Sequence, residues 1–451
     1  MFKKYFILLC LLPVGAVSAQ SSQVLEAYMQ EGLQNNLSLR QETLEIAKAT
    51  ENIRQAKALF YPRVTFAPTY SLAAGGRRLQ FPVGDLLNPV YATLNALTDS
   101  RNFPQIENVD EQLAPNNFHD TKVSVQYSIY NPEIQYNYLI QQNLLSAQEA
   151  RRKVVENELR HAIETAYYQY LQTLDALRIF ENSRMVLLEL VRLNQKLVSN
   201  QVQTKEVVFA AEYELSKLEQ QRAEARKNHE VAKAYFNFLL NRDLRVDIQV
   251  DEALNQQVLQ TVETLQTLSE GAVTRRQELK QLGSSIEAAQ NAVRLNENAA
   301  VRPTVFVGGN AGFQGFGYEF KGQGYALGQV GLQWDLFKGY ERKSKIQQAR
   351  IQTDLLRTRQ QEVARQIEMQ VTQAYYDLQT THESLRAATS ARHSAEQYFR
   401  VIDSRYRNGN VLLIEYVKVQ NDVLTAQLQQ SLSRYDLLIK KAMLDKVTAV
   451  P

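Results

Sequence analysis

Ala166-Tyr167-Tyr168-Gln169-Tyr170-Leu171-Gln172-Thr173 and Ala374-Tyr375-Tyr376-Asp377-Leu378-Gln379-Thr380 are two versions of one phrase, set 208 residues apart in a chain of 451. An offset close to half the chain makes internal duplication the first expectation. Working outward, the same parts recur in the same order around each copy. Upstream, residues 22–59 and 265–301 carry helical patterns that stop at Tyr61-Pro62-Arg63-Val64 and Arg302-Pro303-Thr304-Val305, and a proline after a long helical pattern ends the helix. Two strand candidates follow in each half. The phrase itself lies in the longest helical patterns, 134–200 and 340–407, each roughly 67 residues and so about 100 Å long at ~1.5 Å per residue. Each long pattern ends in a turn and a return helix, 203–240 and 411–447.

These helices carry a seam. In the first return helix Val208, Ala211, Leu215, Leu218, Arg222, Ala225, His229, Ala232, Phe236 and Leu239 alternate spacings of three and four. The second long helix nearly matches it with Val363, Ile367, Val371, Ala374, Leu378, Thr381, Leu385 and Ala388. A period near 3.5 predicts coiled-coil packing. Small and polar residues along the seam suit helices packed around water better than a dry core.

Residues 1–19 read as a secretory signal peptide: Lys3-Lys4, an apolar run, then Val17-Ser18-Ala19. The only cysteine, Cys10, falls inside it without the small preceding residues of a lipoprotein signal, so the mature chain would have neither disulfides nor thiolate chemistry. Lys plus Arg total 51 against 48 Asp plus Glu, a net +3 that disfavours a nucleic-acid binder. No later stretch reaches the ~18–20 continuous apolar residues of a spanning helix. Any membrane crossing must therefore be a closed β-barrel.

The strand segments fit that route. In 123–130, Val123, Val125, Tyr127 and Ile129 form one face and Ser124, Gln126, Ser128 and Tyr130 the other. In 326–336, Gly328, Val330, Leu332, Trp334 and Leu336 oppose Gln329, Gly331, Gln333 and Asp335; 64–72 alternates similarly, and Gly-rich 304–314 alternates poorly. Val125, Ile129, Val330, Leu332 and Trp334 are thus the expected lipid-facing set, and Gln126, Gln329, Gln333 and Asp335 the lumen-facing set. Alternation is equally expected of a soluble sandwich; the long helices, the duplication and the leader favour the membrane. Four strands in lipid would leave two open edges, so closure needs other copies. Two copies give eight strands with a filled interior and three give twelve with a lumen.

The expected organisation is a membrane α+β chain: signal peptide 1–19; helix 20–60; two strands in 61–133 with a long extracellular loop at 78–120; a helical hairpin, 134–241, with its tip near 198–206; a belt element, 242–264, with a strand-like run at Val246-Asp247-Ile248-Gln249-Val250; helix 265–302; two strands in 303–339; and a second hairpin, 340–451, with its tip near 406–415.

Trp334-Asp335-Leu336-Phe337-Lys338-Gly339, where the last strand meets the long helix, and Tyr406-Arg407-Asn408-Gly409-Asn410 with residues 411–415 at the second tip make the chain resemble the TolC family of outer-membrane efflux and secretion channels, over nearly its whole mature length. The resemblance implies a homotrimer with a 12-stranded barrel in outer-membrane lipid and a long α-helical coiled-coil periplasmic tunnel. It implies hairpin tips (Asn200, Gln201, Val202; Asn408, Gly409, Asn410, Val411) that dock a periplasmic adaptor, itself joined to an inner-membrane pump. It also implies carboxylates that narrow the entrance just after the second tip, where Glu415 stands, with Lys418, Tyr406 and Arg405 as further gate candidates. The sequence departs from the pattern at the first tip, where Gln201 replaces the turn glycine, and at Asn131-Pro132, which replaces a glycine turn.

No catalytic, cofactor or metal site is expected. The glycines from Gly308 to Gly324 lack phosphate-loop spacing, and His119, His161, His229, His382 and His393 lack ligand spacing. The competing functions are a periplasmic adaptor, which would have one hairpin and usually an anchor, and an adhesive stalk, which would not need polar strand faces.

Overall fold

The computed structural model describes residues 23–251 and 263–449; the expected leader and the stretch 252–262 of the expected belt lie outside the described residues. The described residues are mostly helical, with one four-stranded and one two-stranded sheet among them. It divides into two compact units.

The first unit takes the residues up to Lys48, then Leu145–Ser285, then Leu355 onward. It contains α1 (Gln23–Asn35), most of the 68-residue α4 (Pro132–Ser199), α5 (Glu206–Leu239), α6 (Leu265–Arg275), most of the 67-residue α8 (Glu341–Arg407) and α9 (Leu413–Thr448). The seam holds: Ala211, Leu218, Phe236, Leu239, Ile367, Val371, Ala374, Leu378, Thr381 and Ala388 are buried, and the other seam residues are half-buried. One core cluster centres on the opening phrase. Tyr167 is fully buried, with its ring centroid 5.6 Å from Phe236, and Tyr28 meets Phe236 edge-on at 5.1 Å. Each such aromatic contributes about 1.5–3 kcal/mol by leaving water. In the second copy of the phrase Tyr376 is exposed, so the two copies pack differently.

The helix expected before each strand pair is two helices. The first breaks at Asn36, between α1 and α2 (Leu37–Ala58), where Asn36 Oδ1 accepts from the amides of Ser38 (2.9 Å) and Leu39 (3.3 Å) and so caps α2. The second breaks at Arg276, whose backbone is extended, between α6 and α7 (Gln277–Val301).

The strand-like run 246–250 forms no strand. Side chains satisfy its backbone instead. Asn237 Nδ2 donates to the carbonyls of Leu244 and Val246, Tyr28 Oη accepts from Gln249 N, and Tyr167 Oη donates to Gln249 O while accepting from Asp251 N. With those groups paired, a partner strand is not needed.

The second unit takes Ala49–Leu144 and Ile286–Asp354. Its main sheet is antiparallel throughout, in the order β1 (Arg63–Ser71), β4 (Phe118–Tyr130), β5 (Thr304–Phe316), β6 (Gly324–Gln333). The segment 78–120, read from sequence as a loop, is structured: β2 (Arg78–Phe81) pairs with β3 (Val109–Gln112), and α3 (Val83–Thr98) lies between them in sequence. Of its four prolines, Pro82, Pro104 and Pro115 stand outside the elements while Pro89 lies inside α3, and alternation over four residues is too brief to read as a strand.

Candidate functional site

Register decides what the sheet can do. One row across the strands runs Val64, Val125, Gly309, Gly328, and the next apolar row runs Phe66, Val123, Ala311, Ala326. The row between them is Thr65, Ser124, Asn310, Leu327, and the row on the other side of Val64 is Arg63, Gln126, Gly308, Gln329. The alternation read on separate strands therefore adds up to two whole faces. On the apolar face Phe66 is 66%, Val330 75% and Leu332 64% exposed. Ile129 lies at a register shift between Ser128 and Tyr130 and is exposed.

β5 reads poorly because its glycines answer to neighbours rather than to a face. A Cβ on Gly312 would stand 2.1 Å from Thr121 O, and one on Gly331 of β6 would stand 2.2 Å from the Phe306 ring, which lies across it. Trp334 and Asp335 fall beyond the strand, which ends at Gln333. There Asp335 pairs with Lys338 at 2.5 Å, and Gly339 turns the chain at φ +60°. Asp335 is thus part of the strand-to-helix turn, just past the end of β6.

The tips are near-copies. At the second, Gly409 (φ +75°) donates its amide to Tyr406 O at 2.9 Å and Asn410 donates to Arg405 O at 2.9 Å. At the first, Gln201 (φ +58°) donates to Val198 O at 3.0 Å and Val202 to Leu197 O at 2.8 Å. Both are Schellman ends, and Gln201 occupies the left-handed position that glycine holds in the other copy. Asn200, Asn408 and Asn410 are exposed and Val411 is half-buried. Val202, Leu412 and Ile414 present 63%, 74% and 77% of their surface to solvent.

The gate candidates separate into two kinds. Glu415, Lys418 and Arg405 are exposed. Tyr398 Oη donates to Glu415 Oε1 at 3.4 Å, and no ion pair joins Glu415 to Lys418 or Arg405 among the described residues. Tyr406 is buried. Its hydroxyl donates to Asn194 Oδ1 at 2.5 Å and its ring packs on Tyr416 with centroids 4.9 Å apart. Burial pushes the Tyr406 hydroxyl up, against the Asn194 hydrogen bond. Sequence reasoning missed Asn194, although its place three and four residues after Val191 and Leu190 puts a polar group in a buried seam. Nearby, a groove of about 450 Å³ is lined by Ser183, Glu396, Phe399, Arg400, Gln420 and Gln427, among others.

Among the described residues no His, Cys, Asp and Glu cluster has the makings of a metal site, and no helix is long and apolar enough to cross a membrane.

The family model of the outer membrane efflux protein matches residues 268–450. That stretch is similar to an outer membrane efflux protein domain. No curated protein matches the chain. Among solved structures, the CmeC outer membrane channel of Campylobacter jejuni is 14% identical with a TM-score of 0.75, over 94% of this chain and 85% of that one. The outer membrane protein VceC of Vibrio cholerae is 15% identical with a TM-score of 0.73, over 94% and 95%. The MtrE outer membrane channel of Neisseria gonorrhoeae, solved in its open state, is 14% identical with a TM-score of 0.75, over 94% and 88%. Identities this low speak for the fold, and the fold agrees with the TolC-family resemblance read from the sequence.

Proposed function

We propose that the chain is one subunit of a passive outer-membrane export duct: a homotrimer whose sheets close a 12-stranded barrel, continued by a coiled-coil tunnel in the periplasm of a Gram-negative cell. The observation that carries the reading is the open four-stranded sheet, with an exposed apolar face, a polar face and unpaired outer edges on β1 and β6. Hydrocarbon accepts the apolar face and rejects the edges, each unpaired backbone group costing several kcal/mol. Pairing β6 of one copy with β1 of the next removes the edges, and twelve strands are enough to keep a lumen open.

The repeated element order supports the internal duplication and the two-hairpin plan. The exposed apolar tip residues, Val202, Leu412 and Ile414, suit docking to a periplasmic adaptor that links the duct to an inner-membrane pump. Glu415, brought together with its symmetry mates, would narrow the entrance, with Arg405 and Lys418 as nearby counter-charges. Tyr406, packed inside the hairpins, would support the tip rather than line the bore. The duct conducts small molecules or proteins and does no covalent chemistry.

Purified protein reconstituted into planar bilayers is expected to conduct as a trimer, and more after Glu415→Ala. Trimers that stay silent in both forms would reject the duct.

A further inference from the structure

Helix α3, inserted between β1 and β4, is built inside out. Its inward stripe is Gly84, Asn88, Tyr91 and Asn95, at spacings of four, three and four. Asn88 exchanges two hydrogen bonds with the backbone of Ile106, both at 2.9 Å, and Asn95 does the same with Phe103 at 2.7 and 3.1 Å. The Tyr91 ring lies 5.8 Å from that of Phe103, and a Cβ on Gly84 would stand 2.4 Å from Ile106 O. The helix thus uses its polar side chains to hold its own return segment. The opposite stripe is Leu86, Val90 and Leu97, 73%, 51% and 79% exposed.

A fixed apolar stripe of this kind marks a surface that something covers. The charge pattern argues against lipid. A helix lying on a membrane carries Lys and Arg along its polar flank, whereas α3 has one charged residue, Asp85. From 72 to 117 the insert has Asp85, Asp99, Glu107, Asp110 and Glu111 against Arg77, Arg78 and Arg101, a net −2 with Arg78 paired to Asp110, which gives anionic headgroups no basic flank to bind. Chain order argues for another copy. The insert leaves the sheet from β1, an outer strand, at the end where Ser71 pairs with Phe118 and Phe118 with Phe316. The β5–β6 turn lies at that same end and exposes Phe316 (68%) and Tyr318 (57%). In the proposed ring the neighbouring copy's β6 lies against β1 and brings its turn to this end.

We infer that the Leu86, Val90 and Leu97 face of α3 is a contact between copies of this chain, packing on the neighbouring subunit at the end of the sheet that carries the 317–322 turn. The inference rests on the trimeric reading.

The test uses a Cys10→Ser background, which lacks any other cysteine. Val90→Cys alone and Val90→Cys with Tyr318→Cys are expressed in outer membranes, and native mass spectrometry reports the oligomer. The inference expects intact trimers, Val90→Cys protected from a water-soluble maleimide until denaturation, and a ladder of linked chains from the double variant with a short bismaleimide. Trimers in which Val90→Cys reacts freely in water would overturn the inference and leave the trimeric reading standing. So would trimers in which it reacts only with a membrane-dissolved maleimide and gives no ladder, which would make the stripe a lipid face. Monomers alone would bring down the trimeric reading itself.

Discussion

Gln201 carries a Cβ and Gly409 does not, yet they close the two tips with the same pair of hydrogen bonds. Sequence alone marks Gly409 as a turn and leaves Gln201 uncertain, because a left-handed residue with a Cβ costs about 1–2 kcal/mol and nothing local announces that it will be tolerated. The 208-residue offset is the signal that identifies it. Asn194 and Tyr406 stand at the same offset plus four, one per hairpin, and their bond crosses the seam between two polar groups cut off from water. Tyr406→Phe should destabilise the detergent-solubilised protein by about 1–3 kcal/mol, because Asn194 is left buried without that partner. Asn194→Leu combined with Tyr406→Phe should recover most of the loss, since both buried polar groups are then gone. Denaturant titrations of the helical signal measure both, and a double variant no better than the single would show that the bond is not the source of the loss.

At the level of elements, legibility followed period. The 3.5-residue seam was readable because residues 208–239 and 363–388 repeat it over several turns, and every seam position is buried or half-buried. The breaks at Asn36 and Arg276 were not, since each rests on one residue's capping or backbone state. The 246–250 run alternates like a strand but forms none, because its backbone pairs with the side chains of Asn237, Tyr28 and Tyr167 instead. Helices α4 and α9 also carry a charge the pattern hides. Burial raises the Glu164 carboxyl above its ordinary 4.5, with Asp445 adding to the shift, while the Tyr168 hydroxyl, donating at 3.0 Å, and Lys441 oppose it. The folded chain therefore holds this proton to higher pH than the unfolded chain does. In the window above 4.5 it binds more protons, and stability falls as pH rises. Glu164→Gln should raise the melting temperature at pH 7, with the gain fading by pH 4, where the parent is protonated in both states. A gain that does not change with pH would assign the effect to packing instead.

For the whole molecule, the sequence revealed the faces of three strands, while the register that aligns them and the glycine-filled contacts of β5 appear only when the strands are paired. The alternation gives neighbouring residues opposite fates, and the proposed threefold closure would multiply each by three. Val330 is 75% exposed on the apolar face, and Gln329 lies on the polar one in the row with Gln126. Val330→Lys would place an ammonium in lipid at about 2–4 kcal/mol per copy near the midplane, three times over in one ring. That is enough to abolish outer-membrane assembly, read as loss of trimer from membrane fractions. Gln329→Lys should assemble normally and set three positive charges at one level of a water-filled bore, so the reversal potential in a salt gradient should shift toward anions. If both variants assembled and neither changed selectivity, the polar face would not line a conducting path. If the two effects were exchanged, the sheet would be turned the other way, with its amides in the lipid, which hydrocarbon does not permit.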